Sequence, residues 1–178
     1  QLYDMFGRCG KWSVFVVAGS WPDCDMLPLG LIGTRTVADG SEARVTRFTK
    51  DEQRSLMTLW SIFRSPLLFG GDLRKLDDWT RSLLTDPCLI DAHQNGHDAR
   101  EVYRKDDLVI WASESDARKY VACFNLSDDP VRLPVDSAEW LQSLSGDLHE
   151  VWGNRAVSVA DAQTALIAPH GVVLYVSK

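Results

Sequence analysis

The spacing of hydrophobic positions changes once along the chain, close to residue 95. Before Asn95-Gly96 the apolar residues recur at helical spacing or form short continuous runs, and after it they alternate with polar residues in short segments. The first pattern is typical of parallel α/β folds, and the second predicts antiparallel strands. We therefore expect an α/β part over residues 1–97 and an all-β domain over residues 98–178.

The clearest helix signal lies in the middle of the first part. Thr49 and Glu52 have the spacing of a capping box, so a helix is predicted to begin after Thr49. Pro66 is expected to stop this helix, because proline cannot supply an interior N–H. Its apolar stripe consists of Leu56, Leu59, Trp60 and Phe63.

Three shorter helices are predicted around it. The first covers residues 2–6 and is expected to end at Gly7 and Gly10. The other two span Asp78 to Leu84 and Pro87 to His93. An aspartate directly precedes the last of them and proline is its first residue, a pattern typical of a helix N-terminus.

Two apolar segments between these helices are predicted to be buried strands of a parallel sheet. They are residues 13–18, Ser-Val-Phe-Val-Val-Ala, and residues 66–70, Pro-Leu-Leu-Phe-Gly. Continuous apolar runs of this kind suit strands that are covered on both faces. Because two parallel strands alone do not make a stable sheet, we expect their neighbours to lie outside this chain.

The second part contains many short segments that alternate apolar and polar residues. Turn residues such as Gly153-Asn and Pro169-His-Gly separate them, which predicts an antiparallel β-sandwich. The predicted strands are Val102–Tyr103, Leu108–Ala112, Lys119–Leu126, Val131–Val135, His149–Trp152, Ala156–Val159, Thr164–Ile167 and Gly171–Val176.

Composition excludes some classes of partner. The net charge of −6 argues against a nucleic-acid-binding protein, which normally presents a basic face. No apolar run approaches the roughly 20 residues that a membrane span requires. The four cysteines, Cys9, Cys24, Cys88 and Cys123, form no CxxC pair; one disulfide is possible, but their spacing does not identify it and leaves the compartment open.

The strongest candidate for chemistry directly follows the first predicted strand. Trp21, Asp23 and Asp25 lie in the loop after residues 13–18, at the strand end where barrel enzymes hold their active sites. Two acids at positions i and i+2 of an extended segment point the same way. They could line a sugar pocket with the tryptophan, or they could cap backbone N–H groups of the loop. The residues alone leave both interpretations open.

Other polar candidates are weaker. His93 and His97 are four apart, but Asn95-Gly96 interrupts any helix between them, so no metal site is predicted. His170 lies in a tight turn and is interpreted as structural. Asp72 follows the second predicted strand and is an outside candidate. Four tryptophans on apolar faces are assigned to the core: Trp60, Trp111, Trp140 and Trp152.

Several motifs resemble glycoside hydrolase family 27, the α-galactosidase and α-N-acetylgalactosaminidase family. Residues 21–30, Trp-Pro-Asp-Cys-Asp-Met-Leu-Pro-Leu-Gly, are similar to its W-x-D-x-D-M-L signature, and residues 64–73, Arg-Ser-Pro-Leu-Leu-Phe-Gly-Gly-Asp-Leu, resemble its bacterial branch. The resemblance implies a (β/α)8 TIM barrel followed by an antiparallel β-domain. Residues 13–18 and 66–70 would then be the seventh and eighth barrel strands.

The resemblance also implies a function. The family uses two aspartates of its fourth and sixth strands to hydrolyse glycosides with retention, without a metal or organic cofactor. Both are expected upstream of residue 1, so no residue of this chain is assigned a catalytic role. Asp25 and Met26 would line the sugar pocket, Asp23 would support the loop, and Trp21 could do either. The chain alone is expected to be inactive and to need the rest of the barrel as its partner.

The expected substrate is a terminal α-linked galactose, although the sequence does not distinguish it from N-acetylgalactosamine or arabinopyranose. An alternative is a non-catalytic β-domain that binds carbohydrate or only completes a partner chain. A binding module should expose aromatic side chains on one sheet face, whereas most tryptophans here are assigned to the core.

Overall fold

The computed structural model describes residues 2–33, 42–134, 140–141, 144 and 147–177. Helices come first and strands follow, as the change of spacing predicts. The helices are α1 (Leu2–Trp12), α2 (Lys50–Phe63), α3 (Asp78–Leu84), α4 (Pro87–Asn95) and α5 (Val159–Ala162). The strands are β1 (Leu31–Ile32), β2 (Arg44–Val45), β3 (His97–Lys105), β4 (Leu108–Glu114), β5 (Lys119–Asn125), β6 (Val131–Arg132), β7 (Leu148–Glu150), β8 (Arg155–Val157), β9 (Leu166–Ile167) and β10 (Val172–Ser177).

An antiparallel sheet of six strands organises the second part. Its order is β3-β4-β5-β10-β7-β8, so the last strand of the chain inserts into the middle of the sheet. β6 and β9 form a separate antiparallel pair, and β1 and β2 form another. The predicted antiparallel β-sandwich is confirmed. The predicted segment 131–135 forms β6 only over its first two residues, and residue 135 lies outside the described residues.

Both faces of the central strands are buried. In β5, Tyr120, Ala122 and Phe124 pack into a core that the helices share, while Val121 and Cys123 pack into a second core with Ile167 of β9. The first core joins the two parts of the chain through aromatic pairs, with ring centroids 4.9 Å apart for Phe6 and Phe124 and 6.0 Å apart for Phe63 and Trp111. The boundary at residues 97 and 98 stays a prediction.

α2 begins as its capping box predicts. The Thr49 side chain accepts a hydrogen bond from the Glu52 backbone N–H at 3.2 Å, and Glu52 accepts one from the Thr49 N–H at 2.7 Å. The four residues of the predicted apolar stripe are all buried. The helix ends at Phe63, where Arg64 adopts a left-handed conformation with φ of 65°. Termination therefore comes from this cap, two residues before the expected stop at Pro66.

The prediction that glycines end the first helix is wrong. α1 continues through Gly7 and Gly10 to Trp12. Its buried residues, Phe6 and Cys9, lie three apart on the face that packs against the rest of the protein. Burial of that face outweighs the roughly 1 kcal/mol that each glycine costs relative to alanine.

The prediction of a buried strand at residues 13–18 is also wrong. Ser13–Phe15 form a 3₁₀ helix, and Val14, Phe15 and Val17 are 74%, 56% and 56% exposed. A strand covered on both faces needs paired neighbours, and the described bridge of this segment joins only Val17 to Ser20 of the following turn. Its apolar side chains are therefore left on the surface.

The second predicted strand, residues 66–70, is extended and makes one parallel bridge. Leu27 donates its N–H to the Leu68 carbonyl at 2.7 Å and accepts from the Gly70 N–H at 2.8 Å. Its partner is thus the acidic loop rather than residues 13–18. Among the predicted core tryptophans, Trp60 and Trp111 are buried, whereas Trp140 and Trp152 are half-buried.

No helix in the described ranges has the length and apolar character to span a membrane.

Alanine substitution should have opposite effects at two glycines. A Cβ on Gly71 would lie 2.4 Å from the Leu29 carbonyl oxygen and 2.5 Å from the Phe69 ring, so Gly71→Ala should lower the free energy of unfolding by about 2 kcal/mol. A Cβ on Gly7 meets no atom within 4 Å, so Gly7→Ala should raise it by about 0.5–1 kcal/mol. Urea unfolding of the longest natural protein that contains these residues measures both, and stabilisation by Gly71→Ala would contradict the packing described.

Candidate functional site

The loop that carries the candidate acids is held from both sides. On one side, the Cys24 N–H donates to the Ser65 hydroxyl at 2.9 Å, and the Trp60 indole N–H donates to the Asp25 carbonyl oxygen at 3.0 Å. On the other side, Leu27 makes the parallel bridge to residues 68–70. Because Trp60 and Ser65 are buried, these contacts fix the loop backbone relative to the core.

Within the loop, both aspartate side chains accept hydrogen bonds from backbone N–H groups. Asp23 accepts a hydrogen bond from the Asp25 N–H at 2.7 Å, and Asp25 accepts one from the Met26 N–H at 2.6 Å. Asp25 has a positive φ of 77°, a conformation that aspartate tolerates better than most residues. The expectation of an extended segment therefore fails at Asp25, and the capping interpretation describes the backbone contacts.

Both acids nevertheless line one cleft of about 480 Å³. Asp23, Asp25 and Met26 are exposed on one side of it. Leu56 and Trp60 of α2 also line it, and α1 supplies four of its residues. The full lining is Leu2, Asp4, Met5, Arg8, Asp23, Cys24, Asp25, Met26, Pro28, Phe48, Leu56 and Trp60. Carboxylates beside apolar surface suit a ligand with hydroxyl groups on an apolar frame, such as a sugar.

The structure does not bring Trp21 to this cleft. Trp21 lines a separate, mostly apolar cleft with Arg64, Pro66, His93 and Gln94. The Arg64 guanidinium lies 5.8 Å from the Trp21 ring centroid, within the range of a cation–π contact. The His93 ring lies 2.9 Å from the Ser65 carbonyl oxygen, and burial lowers the pKa of His93.

Sequence reasoning missed two charged residues of the cleft wall. Asp4 and Arg8 both line it from α1. They are four residues apart, a spacing that places two side chains on one face of a helix. That spacing could have singled them out, but only once the face of α1 directed at the loop was known.

The remaining candidates have structural contacts. His170 contacts Asp128 at 2.8 Å, and its carbonyl oxygen accepts a hydrogen bond from Ser55 of α2 at 2.7 Å. His97 contacts the adjacent Asp98 at 2.8 Å. Within the described residues, no group of three or more histidine, cysteine, aspartate or glutamate side chains could hold a metal ion.

Asp72 is engaged by its neighbour two residues later. Both of its carboxylate oxygens accept hydrogen bonds from the Arg74 guanidinium, each at 2.9 Å, and Asp72 also caps the short 3₁₀ helix at Leu73–Lys75. The hydrogen bonds from Arg74 lower the pKa of Asp72 to about 2. Because Arg74 binds both carboxylate oxygens, we assign Asp72 a structural role.

The lowered pKa of Asp72 predicts a pH-dependent contribution to stability. Its carboxylate should stabilise the fold above the unfolded pKa of roughly 4, and this contribution should disappear as the pH falls towards about 2. The difference in free energy of unfolding between wild type and Asp72→Asn should shrink over that window. Denaturant unfolding of the longest natural protein that contains these residues, from pH 2 to 7, measures it. A difference independent of pH would contradict the role of ionised Asp72.

Comparison with known protein families matches both parts of the chain. Residues 11–95 match the family described as "Alpha galactosidase A", and residues 105–177 match the "Alpha galactosidase C-terminal beta sandwich domain". Both family models describe α-galactosidase-type glycoside hydrolases, and together they match most of this chain. This chain belongs to glycoside hydrolase family 27 as a C-terminal part of such an enzyme.

Individual relatives agree with this assignment. "Alpha-galactosidase 2" from Arabidopsis thaliana is 29% identical over 93% of this chain and 40% of its own length. The solved structure of a GH27 β-L-arabinopyranosidase from Geobacillus stearothermophilus, in complex with arabinose, is 43% identical with a TM-score of 0.83. The match to that structure covers 99% of this chain and 42% of the relative. The chain thus spans about two fifths of the proteins it resembles.

Proposed function

We propose that this chain is the C-terminal part of a retaining glycoside hydrolase that acts on terminal α-linked galactose, and that it supplies Asp25 and Met26 to the sugar site. The observation that carries this proposal is the placement of both residues on one cleft, on a loop that α2 holds by the Trp60 and Ser65 hydrogen bonds. A loop fixed in this way can present a carboxylate to sugar hydroxyls without reorganising on binding.

Neither loop aspartate is proposed as a catalytic residue. Retaining enzymes place two carboxyl groups about 5 Å apart on opposite sides of the scissile bond. Asp23 and Asp25 lie on the same loop and accept hydrogen bonds from successive parts of it, so they approach a sugar from one side. Asp25 is the ligand-facing residue in this proposal, and Asp23 orients it through the Asp25 N–H.

An α-galactoside and a β-L-arabinopyranoside should be compared as substrates. Curated relatives from Arabidopsis thaliana and Cellvibrio japonicus are α-galactosidases, whereas the solved relative from Geobacillus stearothermophilus is a β-L-arabinopyranosidase. The two sugars share the configuration of their ring hydroxyls, and arabinopyranose lacks the hydroxymethyl group of galactose. The ratio of kcat/KM for a chromogenic α-galactoside and a chromogenic β-L-arabinopyranoside therefore reports whether the site accepts the hydroxymethyl group.

Replacing Asp25 should weaken substrate binding in the longest natural protein that contains these residues. Asp25→Asn should raise KM for a chromogenic α-galactoside about tenfold, because a hydrogen bond to a charged group contributes about 1.5–3 kcal/mol. Asp23→Asn should have a smaller effect, since an amide oxygen can still accept from the Asp25 N–H. Asp78→Asn, on the exposed start of α3, is the control.

The same measurement distinguishes binding from catalysis. A loss of kcat by more than about 10⁴-fold in either loop variant, with KM unchanged, would identify a catalytic carboxylate and overturn the assigned roles.

Residues 1–178 by themselves should not hydrolyse the substrate and should not melt cooperatively. The exposed Val14, Phe15 and Val17 form an apolar segment that a complete barrel would cover, so the isolated chain should also bind an apolar dye. Hydrolysis assays and thermal melts followed by near-UV circular dichroism test this. Turnover, or a cooperative melt with a native-like near-UV signal, would contradict the expectation.

A carbohydrate-binding β-domain is less well supported by the described surface. Among the described residues after residue 97, no aromatic side chain is strongly exposed. A binding module needs such a platform for the apolar face of a sugar. Galactose titration of the isolated chain, with Trp21→Ala as control, would detect such a module by saturable binding in both proteins.

A further inference from the structure

Two of the four cysteines meet beside the acidic loop. The sulfur atoms of Cys9 and Cys24 are 3.5 Å apart, although the residues are 15 positions apart in sequence. Cys9 lies on the buried face of α1, and Cys24 lies between the two loop aspartates. Neither Cys88 nor Cys123 has a comparable sulfur contact among the described residues. The structure thus selects one pair that spacing in the sequence leaves undetermined.

The sulfur atoms are in contact but are not yet at bonding distance. A disulfide bond is about 2.05 Å long, so the sulfurs would need to approach by roughly 1.5 Å. Cys24 belongs to a loop rather than to a sheet ladder, and its backbone N–H donates to a side-chain hydroxyl, that of Ser65. A small shift of the loop towards α1 therefore need not break regular secondary structure.

A second cleft, adjoining the one lined by the loop acids, lies beside this pair. Cys9 and Cys24 both line a cleft of about 350 Å³, which has Trp12, Pro22 and Phe63 on its walls. Both residues are almost fully buried, and both belong to the lining of this cleft. Two sulfurs alone fall short of the four ligands of a structural zinc site.

We propose that Cys9 and Cys24 are a redox-reactive dithiol that closes to an intramolecular disulfide and tethers α1 to the acidic loop. The oxidant in this proposal is a low-molecular-weight disulfide such as oxidised glutathione. One protein thiolate attacks that disulfide, forms a mixed disulfide and releases one small thiol. The second protein thiolate then attacks the mixed disulfide and releases the other small thiol. The two protein thiols lose two electrons and two protons, and the small disulfide gains them.

The local environment indicates which sulfur attacks first. The hydrogen bond with Cys9 lowers the pKa of Cys24, and the contact with Ser65 acts in the same direction. That same hydrogen bond and burial raise the pKa of Cys9. In this proposal Cys24 attacks first and Cys9 resolves the mixed disulfide.

Closure of the disulfide would also change the proposed sugar site, and this part of the inference rests on the proposed function. Cys24 separates Asp23 from Asp25, and Arg8 of α1 lines the same cleft. Drawing the loop towards α1 would alter the width of the cleft. Substrate affinity would then depend on the oxidation state of the pair.

Peptide mapping of the longest natural protein that contains these residues tests the disulfide directly. The folded protein is equilibrated with oxidised and reduced glutathione, its free thiols are alkylated, and proteolytic peptides are analysed by mass spectrometry. The expected product is one linked peptide pair containing Cys9 and Cys24, with Cys88 and Cys123 alkylated. Cys88→Ser should leave the linkage intact, whereas Cys9→Ser should leave Cys24 as a mixed disulfide with glutathione.

Stability and kinetics complete the test. Oxidation should raise Tm by about 5 °C in wild type and not in Cys9→Ser. It should also change KM for the chromogenic glycoside at least threefold in wild type only. The proposal would be overturned if both thiols stayed free in oxidising buffers that preserve the fold. It would also be overturned if Cys24 formed a disulfide with another cysteine.

The two proposals can fail separately in this design. A Cys9–Cys24 linkage with unchanged KM would overturn the link to the sugar site. A linkage in a protein that hydrolyses no tested glycoside would support the dithiol while contradicting the proposed function.

Discussion

The burial of the central sheet on both faces is the constraint on which the rest of the structure depends. One face packs with α2 in the first core, and the other packs with Ile167 of β9 and with Leu133, Leu141 and Leu144 in the second. Polar contacts fix α2 further, with Ser55 donating to the His170 carbonyl at 2.7 Å and the Trp152 indole donating to Thr58 at 3.1 Å. α2 is thereby anchored to the sandwich, and its C-terminal end becomes a fixed support for the acidic loop.

The loop uses this support without neutralising its own charges. Trp60 and Ser65 bind the backbone of the loop at Asp25 and Cys24, so neither contact engages a carboxylate with a cation. Asp72 shows the contrasting arrangement, because Arg74 binds both of its carboxylate oxygens. An acid held through its backbone can offer its side chain to a ligand, whereas an acid paired with arginine contributes chiefly to local structure.

Residues 13–18 show how far a strand depends on its surroundings. The same β-branched run that predicts a buried strand forms a 3₁₀ helix and exposes Val14 and Phe15 when its described bridge reaches only the following turn. Residues 66–70 remain extended because Leu27 offers the two backbone groups of a parallel bridge. Strand formation requires backbone partners as well as suitable side chains.

The features that arise from local contacts could be predicted from the sequence. The capping box at Thr49, the helix at Asp78–Leu84 and the period-two strands follow from groups a few residues apart, and the motif at residues 21–30 identified the family. Tertiary structure alone decided that α1 continues through its glycines, that Trp21 and Asp25 line different clefts, and that Cys9 meets Cys24. These outcomes depend on which distant surfaces pack together, and local periodicity carries no information about that choice.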